Sequence, residues 1–595
     1  MAIAPNLQAS GRGVHGSAYL TAGMQSSTDP MFIDDRAYVS SMNTVNRGGI
    51  VQSRPGYRCL FRLPDGNLQG CTYFKPLNSA PQLIFAVAGV VYVSPYPFVR
   101  YSALPGVQFY HAAPRMYWAV GTKSAVTNED GTISVVDPVR TLIMQDGGFT
   151  RAAYWDGETS RHLDPSALET PLGGPMAWSG GRLWVAYKNQ LIPSDIDNPL
   201  SFSEASILAI NGIFFTGEDI TGLAEIPGLA TPQLACFTEV STFVFQSGIR
   251  DRTTWSTQTA PPFQSILFPE VGCVSHNSIV SQYGLLWWMT HTGLTNFNSA
   301  KQAFVSSTLS AQDVEMASSK GNISPNIIET CASYFENYML VSVPSGDKRN
   351  RHTWVMDKTV IDDITDAGLP AWNSIWTGTN PKQWMRGPAN GVMRIFHVSN
   401  DADGANRLWE AFTPDRLDNG LPITSYLETK THIDFSPRAT GLDLKQFLRA
   451  EVTFTEMYGD VSAAIFWAGT RGRYKKLAEY NFVATQGQLR AGESVNMNTV
   501  IRGYRPQTRV VRTPSINVPA LIKSECTSCG VESNRSDSID TGFSLLVVWS
   551  GRAAIRSYRI FADPEQEKSE GECTESETGE TNIVVDALCT ATFEG

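Results

Sequence analysis

The stretch Ala177 to Phe202, AWSGGRLWVAYKNQLIPSDIDNPLSF, decides the fold. Ser179-Gly180-Gly181 reads as a tight turn, because glycine reaches positive φ at no steric cost. Arg182-Leu-Trp-Val-Ala-Tyr187 follows as a strand and Lys188-Asn189 turns the chain. Gln190 to Pro193 is a short strand before the polar loop Ser194-Asp-Ile-Asp-Asn-Pro199. A hairpin of this size cannot bury its apolar face alone. Radial repetition of similar hairpins, a β-propeller, is the expected solution.

Such hairpins recur. Gln82 to Ser94 holds two strands about a glycine, and Arg115 to Val120 goes with Arg140 to Met144. Leu234 to Phe245 and Ser278 to Thr290 continue the series. Cys331 to Val343 with Thr353 to Asp357, and Val392 to Val398 with Arg407 to Ala411, complete it. Their spacing of roughly 50 residues is that of a four-stranded blade, which predicts six or seven blades over residues 61–415. Residues 1–60 mix Gly, Ser, Asn and Pro with little periodicity and read as an extended N-terminal arm. Over 416–562 the strands are longer and alternate, among them Phe447 to Phe454, Val461 to Trp467, Phe543 to Trp549 and Ile555 to Phe561. An all-β chain with such strands predicts a β-sandwich there. From Asp563 to Glu580 eight acids accompany one lysine, the composition of a solvated tail, and 563–595 is set apart as an acidic C-terminal tail in which Ile583-Val-Val585 adds at most one strand.

Composition narrows the function classes. The 595 residues are 17% charged with a formal net charge of −10, and glycine (49) and proline (33) are abundant. This suits many short strands and tight turns. It argues against a general nucleic-acid binder, whose binding domains are basic, and leaves room for a conduit that DNA passes without sticking. The nine cysteines are scattered and odd in number, so no secreted disulfide framework is implied. Met1-Ala-Ile-Ala-Pro-Asn lacks a basic region and an apolar core, and no stretch approaches the roughly 18 apolar residues of a membrane span. Neither a signal peptide nor a transmembrane helix is expected.

Little catalytic chemistry is visible. The eight histidines, at 15, 111, 162, 276, 291, 352, 397 and 432, show no metal-site spacing, and H-E-x-x-H, Walker A, G-x-S-x-G and G-x-G-x-x-G are all missing. Cys526-Thr-Ser-Cys529 is half of a zinc signature without its second half. Asn400-Asp-Ala-Asp-Gly-Ala-Asn406 looks like the first half of a calcium loop, but the distal glutamate is out of place and a hairpin turn explains the same residues. A propeller glycosidase needs an acid pair about 5–9.5 Å apart, for which Asp195, Asp197, Asp357 and Asp401 are the candidates. Ser194-Asp-Ile-Asp-Asn matches a sialidase Asp-box only in its first two residues. Neither cofactor nor metal is expected. Arg471 and Arg473 form one basic cluster, and Arg502, Arg505, Arg509 and Arg512 another. With Arg47 and Arg54 of the arm, they are candidates for contacts to neighbouring subunits or DNA phosphates. Solvated surface charge is the plainer account of the same residues.

Four stretches, taken in order, carry a likeness. They are Asn46-Arg47-Gly48-Gly49 with Arg54-Pro55-Gly56; Ala177-Trp178 with Gly181-Arg182-Leu183-Trp184 and Ser194-Asp195 through Asn198-Pro199; Gly272-Cys273-Val274-Ser275 with Leu286-Trp287-Trp288 and Thr292-Gly293-Leu294; and Tyr426-Leu427-Glu428-Thr429 leading into Lys445 to Phe454. In these the chain resembles the β-propeller tail proteins of short-tailed bacteriophages, variously called tail nozzle, tail hub, tail tube or stabilisation protein. The resemblance implies a non-catalytic homo-oligomeric ring, usually a hexamer, in the virion tail below the portal and adaptor. Tail fibres or a needle are further partners. DNA would leave through the lumen without sequence-specific contact, and the protein would be made in the host cytoplasm without membrane insertion. A reading from a different class is a glycan-binding or glycan-cleaving propeller used in receptor recognition, with Trp178, Trp184, Trp287, Trp288, Trp372 and Trp376 as stacking platforms.

Overall fold

The computed structural model describes residues 13–17, 20–25, 29–207, 213–252, 255, 264–268, 270–282, 284–291, 293–298, 303–306, 326–345, 347–361, 370–433, 445–470, 473–483, 507–513 and 539–564. They fall into two compact units. One is Pro55–Leu421, and the other combines the described parts of Met1–Arg54 and Pro422–Gly595.

Pro55–Leu421 is a β-propeller. Its inner strands are Leu68–Phe74, Tyr117–Thr127, Met176–Ser179, Ile220–Glu225, Val280–Gln282, Cys331–Phe335 and Pro381–Ala389, and each opens an antiparallel four-stranded meander. Six blades are sheets of their own, and the meander opened by Cys331–Phe335 takes a seventh place in the ring. Each blade touches the next, and Pro381–Ala389 returns to Leu68–Phe74.

The second strand of a blade shows why the sequence needs this arrangement. All of Gln82–Val87 is buried. Leu83, Phe85 and Val87 pack with Met385, Phe396 and Leu408 of the last blade, whereas Ile84 and Ala86 pack with Met116, Leu142 and Met144 of the second. A period of two sends alternate residues to opposite neighbours. The hairpin at Arg182–Tyr187 repeats the pattern. Leu183 and Val185 join Ala119 and Ile143, while Trp184 and Ala186 join Leu223, Cys236 and Phe245. A strand covered on both faces reads as an unbroken apolar run.

The ring is closed by a strand from before the first blade. Gly56–Arg62 pairs antiparallel with Asn406–Thr413, Tyr57 opposite Ala411 and Arg58 opposite Glu410, and so becomes the fourth strand of the last blade. Leu417–Asp418 pairs in parallel outside it. Polar groups fasten the seam. Arg58 and Arg394 both reach Glu410. Asn406 donates through Nδ2 to the carbonyls of Pro64 and Gly66 at 3.0 and 2.8 Å.

The other unit is one curled sheet where a two-sheet sandwich was expected. Lys445–Gly469 and Phe543–Pro564 pair from Lys445 opposite Pro564 to Gly469 opposite Phe543. Four register shifts interrupt the ladder, and Glu456 and Gly459 within them take φ of +49° and +71°. Such irregularities bend strands, and here they fold the pair over. Phe447 and Trp467, near opposite ends of one strand, stack at 4.7 Å, and Phe543 meets both rings. The buried face of one bent sheet therefore covers itself.

The arm expected over residues 1–60 is corrected as well. Ala37–Met42 pairs with Thr424–Thr429, Ile50–Ser53 with Ala554 and Ile555, and Gly13–Ser17 with the end of Phe543–Pro564. These are strands of the curled sheet, and Gly56–Arg62 belongs to the propeller. The boundaries expected at 60 and 415 accordingly fall after Arg54 and after Leu421. Gly48 and Gly49, at φ +61° and +84°, make the two-residue turn that joins Thr44–Arg47 to Ile50–Ser53. The acidic tail after Pro564, with Ile583-Val-Val585, lies outside the described residues.

Gly56 leaves no room at the seam: a Cβ there would sit 2.1 Å from the carbonyl oxygen of Leu417 and 2.6 Å from its nitrogen. Gly56→Ala is expected to destabilise the propeller by about 1–3 kcal/mol, the usual cost of overpacking against backbone. A urea titration followed by tryptophan fluorescence checks this, and an unchanged midpoint would mean that the seam is not under such constraint.

Candidate functional site

Polar side chains from most of the blades converge where the connectors enter the inner strands. Arg115, just before Tyr117–Thr127, reaches across the ring. Its Nη1 donates to Ser275 Oγ at 3.2 Å and its Nη2 to the Ile328 carbonyl at 2.7 Å, in the connectors that precede the fifth and sixth inner strands. Ser275 Oγ donates in turn to the Thr330 carbonyl at 2.8 Å. Lys382 and Glu329 form an ion pair between the last two blades, 21% and 11% exposed. Gln383 Nε2 donates to Asn277 Oδ1 at 3.3 Å, and Gln383 Oε1 accepts the Cys71 N–H at 2.9 Å. The Tyr117 ring lies 5.5 Å from that of His276, whose Nδ1 accepts the Leu223 N–H at 3.5 Å.

Burial and the Arg115 charge pull His276 down to about 4, so the imidazole is neutral at pH 7 and its Nδ1 is free to accept. Burial pushes the Tyr117 hydroxyl up. The propeller axis is thus crossed by side chains within hydrogen-bonding distance of one another, and no nucleic-acid duplex can thread a single propeller here. None of these residues was singled out as a site residue from the sequence. A polar residue one or two positions before an inner strand, as Arg115 and Glu329 are, is the only local signal.

The expected acids do other work. Asp195 is buried and accepts Ser201 Oγ at 2.6 Å, Ser203 Oγ at 2.8 Å and the Glu204 N–H at 2.7 Å, which starts the short helix Glu204–Ile207. Glu204 lies between Arg182 and Arg252, the three being 5, 0 and 1% exposed. The Trp255 ring faces both guanidinium groups at 5.3 and 4.9 Å. Burial, with Arg182 beside it, lowers Arg252 to about 10, still protonated at neutral pH. Asp197 pairs with Arg250. Asp401 accepts Arg407 Nη1 at 2.8 Å and Trp409 Nε1 at 3.3 Å, and Asp403 is the second partner of Arg407. The 400–406 loop is therefore a hairpin turn whose acids face a guanidinium. Asp357 is buried in His352–Ile361. The four candidates lie in the third, sixth and seventh blades, and among the described residues no group of three His, Cys, Asp or Glu is arranged to hold a metal.

The tryptophan platforms are corrected too. Trp184, Trp287, Trp288, Trp372 and Trp376 are buried, and Trp178 packs against the core between the second and third blades. Among the arginines, Arg54 is fully buried and its Nε donates to Asn43 Oδ1 at 3.1 Å within the curled sheet, which withdraws it from contact with a neighbour or with DNA. Arg47, Arg473 and Arg509 are exposed. Arg471, Arg502 and Arg505 lie outside the described residues, as do Cys526 and Cys529.

No protein-family model matches the chain, and no curated protein does. Among solved structures it is similar to U3-55K, at 10% identity and a TM-score of 0.36 over 60% of this chain and 99% of the other. It is also similar to the extracellular domain of BT4673 from B. thetaiotaomicron, at 11% identity and a TM-score of 0.33 over 81% and 63%. A third likeness is to a catalytically inactive variant of virginiamycin B lyase from Staphylococcus aureus with quinupristin, at 7% identity and 0.33 over 60% and 98%. At such scores these likenesses add nothing to the reading of the site.

Two outcomes are expected. A histidine held below its ordinary value costs stability as pH falls from about 6.5, where the unfolded chain takes up its proton, toward the folded value. His276→Gln should therefore flatten the decline of Tm between pH 6.5 and pH 4, measured by calorimetry on both proteins; parallel profiles would remove His276 as a cause. Glu204→Gln leaves two buried guanidinium groups facing each other and should cost about 3–5 kcal/mol, whereas an apolar triple replacement of Arg182, Glu204 and Arg252 should cost less. Urea midpoints of the two variants decide between these orders.

Proposed function

We propose that the chain is a structural protein of a short-tailed phage tail, forming a homo-oligomeric nozzle or hub ring and performing no catalysis of its own. The observation that carries the reading is the fate of the polar groups. The residues that a reactive propeller would hold open, namely Asp195, Asp401 and the axial set around Arg115, are bonded to one another across strands and blades. Such a disc is a rigid wall element. The likeness in four stretches supports the remainder: a ring of six, portal and adaptor above, fibres or needle as further partners, and a site in the virion tail. A chain of net charge −10 suits a passage that must not grip phosphates, whose binding is electrostatic.

A second reading, a glycan-recognition module, has one observation in its favour. Tyr110 and Phe149, 42% and 61% exposed, stack at 5.3 Å in connectors of the first two blades, and offer a planar apolar face to a sugar.

Negative-stain micrographs of the purified protein, with light scattering, should show closed rings of about six chain masses, as expected of cyclic assembly. Monodisperse monomers at high protein concentration would sink the ring. Binding on a glycan array that disappears in Tyr110→Ala would put the second reading in its place.

A further inference from the structure

The connector 109–116, which leads from Ser102–Gln108 into Tyr117–Thr127, carries both Tyr110 and Arg115, and a row of rings links the two places. Tyr110 and Phe149, stacked at 5.3 Å, begin the row. Gly147 is exposed beside them, and a Cβ built on it would lie 3.8 Å from the Phe149 ring and 3.8 Å from the Tyr117 ring. At φ +88° the position favours glycine, so no side chain rises between the two rings. The Tyr117 ring lies 5.5 Å from that of His276, and both residues are partly exposed. Arg115 ends the row with a charge. Two of its N–H groups go to neutral acceptors, Ser275 Oγ and the Ile328 carbonyl. Among the described residues it forms no ion pair. Glu329, next to that carbonyl, is committed to Lys382. The N–H groups that remain on the guanidinium belong to a planar fork that matches a carboxylate.

We propose that this row binds an acidic glycan, an oligosaccharide in which at least one ring carries a carboxylate. One sugar ring rests on Tyr110 and Phe149, the chain passes over Gly147 and Tyr117, and the carboxylate meets the open side of the Arg115 guanidinium. On the second reading above, on which this rests, the ligand narrows from glycans in general to those with a carboxylate. Either half of the row alone would be unselective. Aromatic faces by themselves accept neutral sugars, and a guanidinium by itself accepts any small anion. Held in one row, they select a ligand that has both an apolar ring face and a negative charge. The charge-assisted hydrogen bond at Arg115 is the stronger of the two contributions and sets the preference.

A glycan array probed with the full chain tests it, with neutral oligosaccharides and uronate-bearing and sialate-bearing ones, each acid beside its carboxyl methyl ester. The ester keeps the rings and removes the charge. Acids should bind at least about tenfold more tightly than their esters, the usual weight of a hydrogen bond to a charged group. Phe149→Ala, at an exposed position, should weaken acids and esters alike, and Arg115→Gln should erase the difference between them. If Arg115→Gln does not fold, the comparison of acid with ester on the unaltered chain decides alone. Acids and esters bound equally well would overturn the proposal and leave the second reading standing. An array on which no glycan of any class binds overturns both. Binding of acids that vanishes in Arg115→Gln and is unchanged in Phe149→Ala also overturns it, since the site would then be one for anions without regard to sugar.

Discussion

The pairing of Gly56–Arg62 with Asn406–Thr413 is the contact on which the propeller depends. Each blade is apolar on both faces, so an open row would leave the Leu83 and Phe85 side of the first blade and the Phe396 and Val398 side of the last bare. Closure covers each with the other, and twelve buried residues from Leu63 to Leu408 form that interface. The two strands are some 350 residues apart, yet loop entropy grows only with the logarithm of length and costs about 5 kcal/mol beyond a constant. Burying even a few side chains, at roughly 1.5–3 kcal/mol each, offsets that. Closure also divides the chain. With Gly56–Arg62 committed to the last blade, Ala37–Met42 and Ile50–Ser53 before it pair with strands beyond Pro422.

Two-sided burial made the blades legible in the sequence. Gln-Leu-Ile-Phe-Ala-Val and Arg-Leu-Trp-Val-Ala-Tyr are unbroken runs between glycine turns because both neighbours need apolar partners. The closing strand was not legible. Gly-Tyr-Arg-Cys-Leu-Phe-Arg alternates weakly, since only Gly56 and Tyr57 are buried in it, and its partner lies at the other end of the propeller. Alternation over Lys445–Gly469 correctly marked one buried face. It carried no information on whether a second sheet or the same sheet, bent at Glu456 and Gly459, would cover that face. The axial cluster was invisible for a related reason. Arg115, Ser275, His276, Ile328 and Gln383 share no spacing, and only the ring brings them together.

Arginine is used chiefly as a brace. Arg182 and Arg252 enclose Glu204, Arg407 holds Asp401 and Asp403, Arg58 and Arg394 share Glu410, and Arg115 spans the ring. The planar guanidinium donates in several directions at once and stays charged when buried. Of these, only the Arg182, Glu204 and Arg252 set is buried throughout, and there desolvation offsets much of the attraction, so losing one member costs more than the intact set contributes. Arg182 belongs to the opening hairpin, so the Gly-Arg-Leu-Trp run marks a structural joint.

That construction limits what a conduit made from this chain can be. Arg115 reaches across the ring of blades, so in the proposed assembly a passage wide enough for DNA would lie between copies, bounded by their outer surfaces. The field in such a passage is then set by whichever surfaces face inward and not by the axial cluster. Exposed cations are gathered on the edge strands Lys475–Phe482 and Gln507–Arg512, while the chain as a whole is acidic. In the proposed ring, a smooth passage would turn that edge away from phosphates. A basic edge turned inward in that ring would bind a duplex with the steep salt dependence of counterion release, which is the opposite of what a passage for DNA requires.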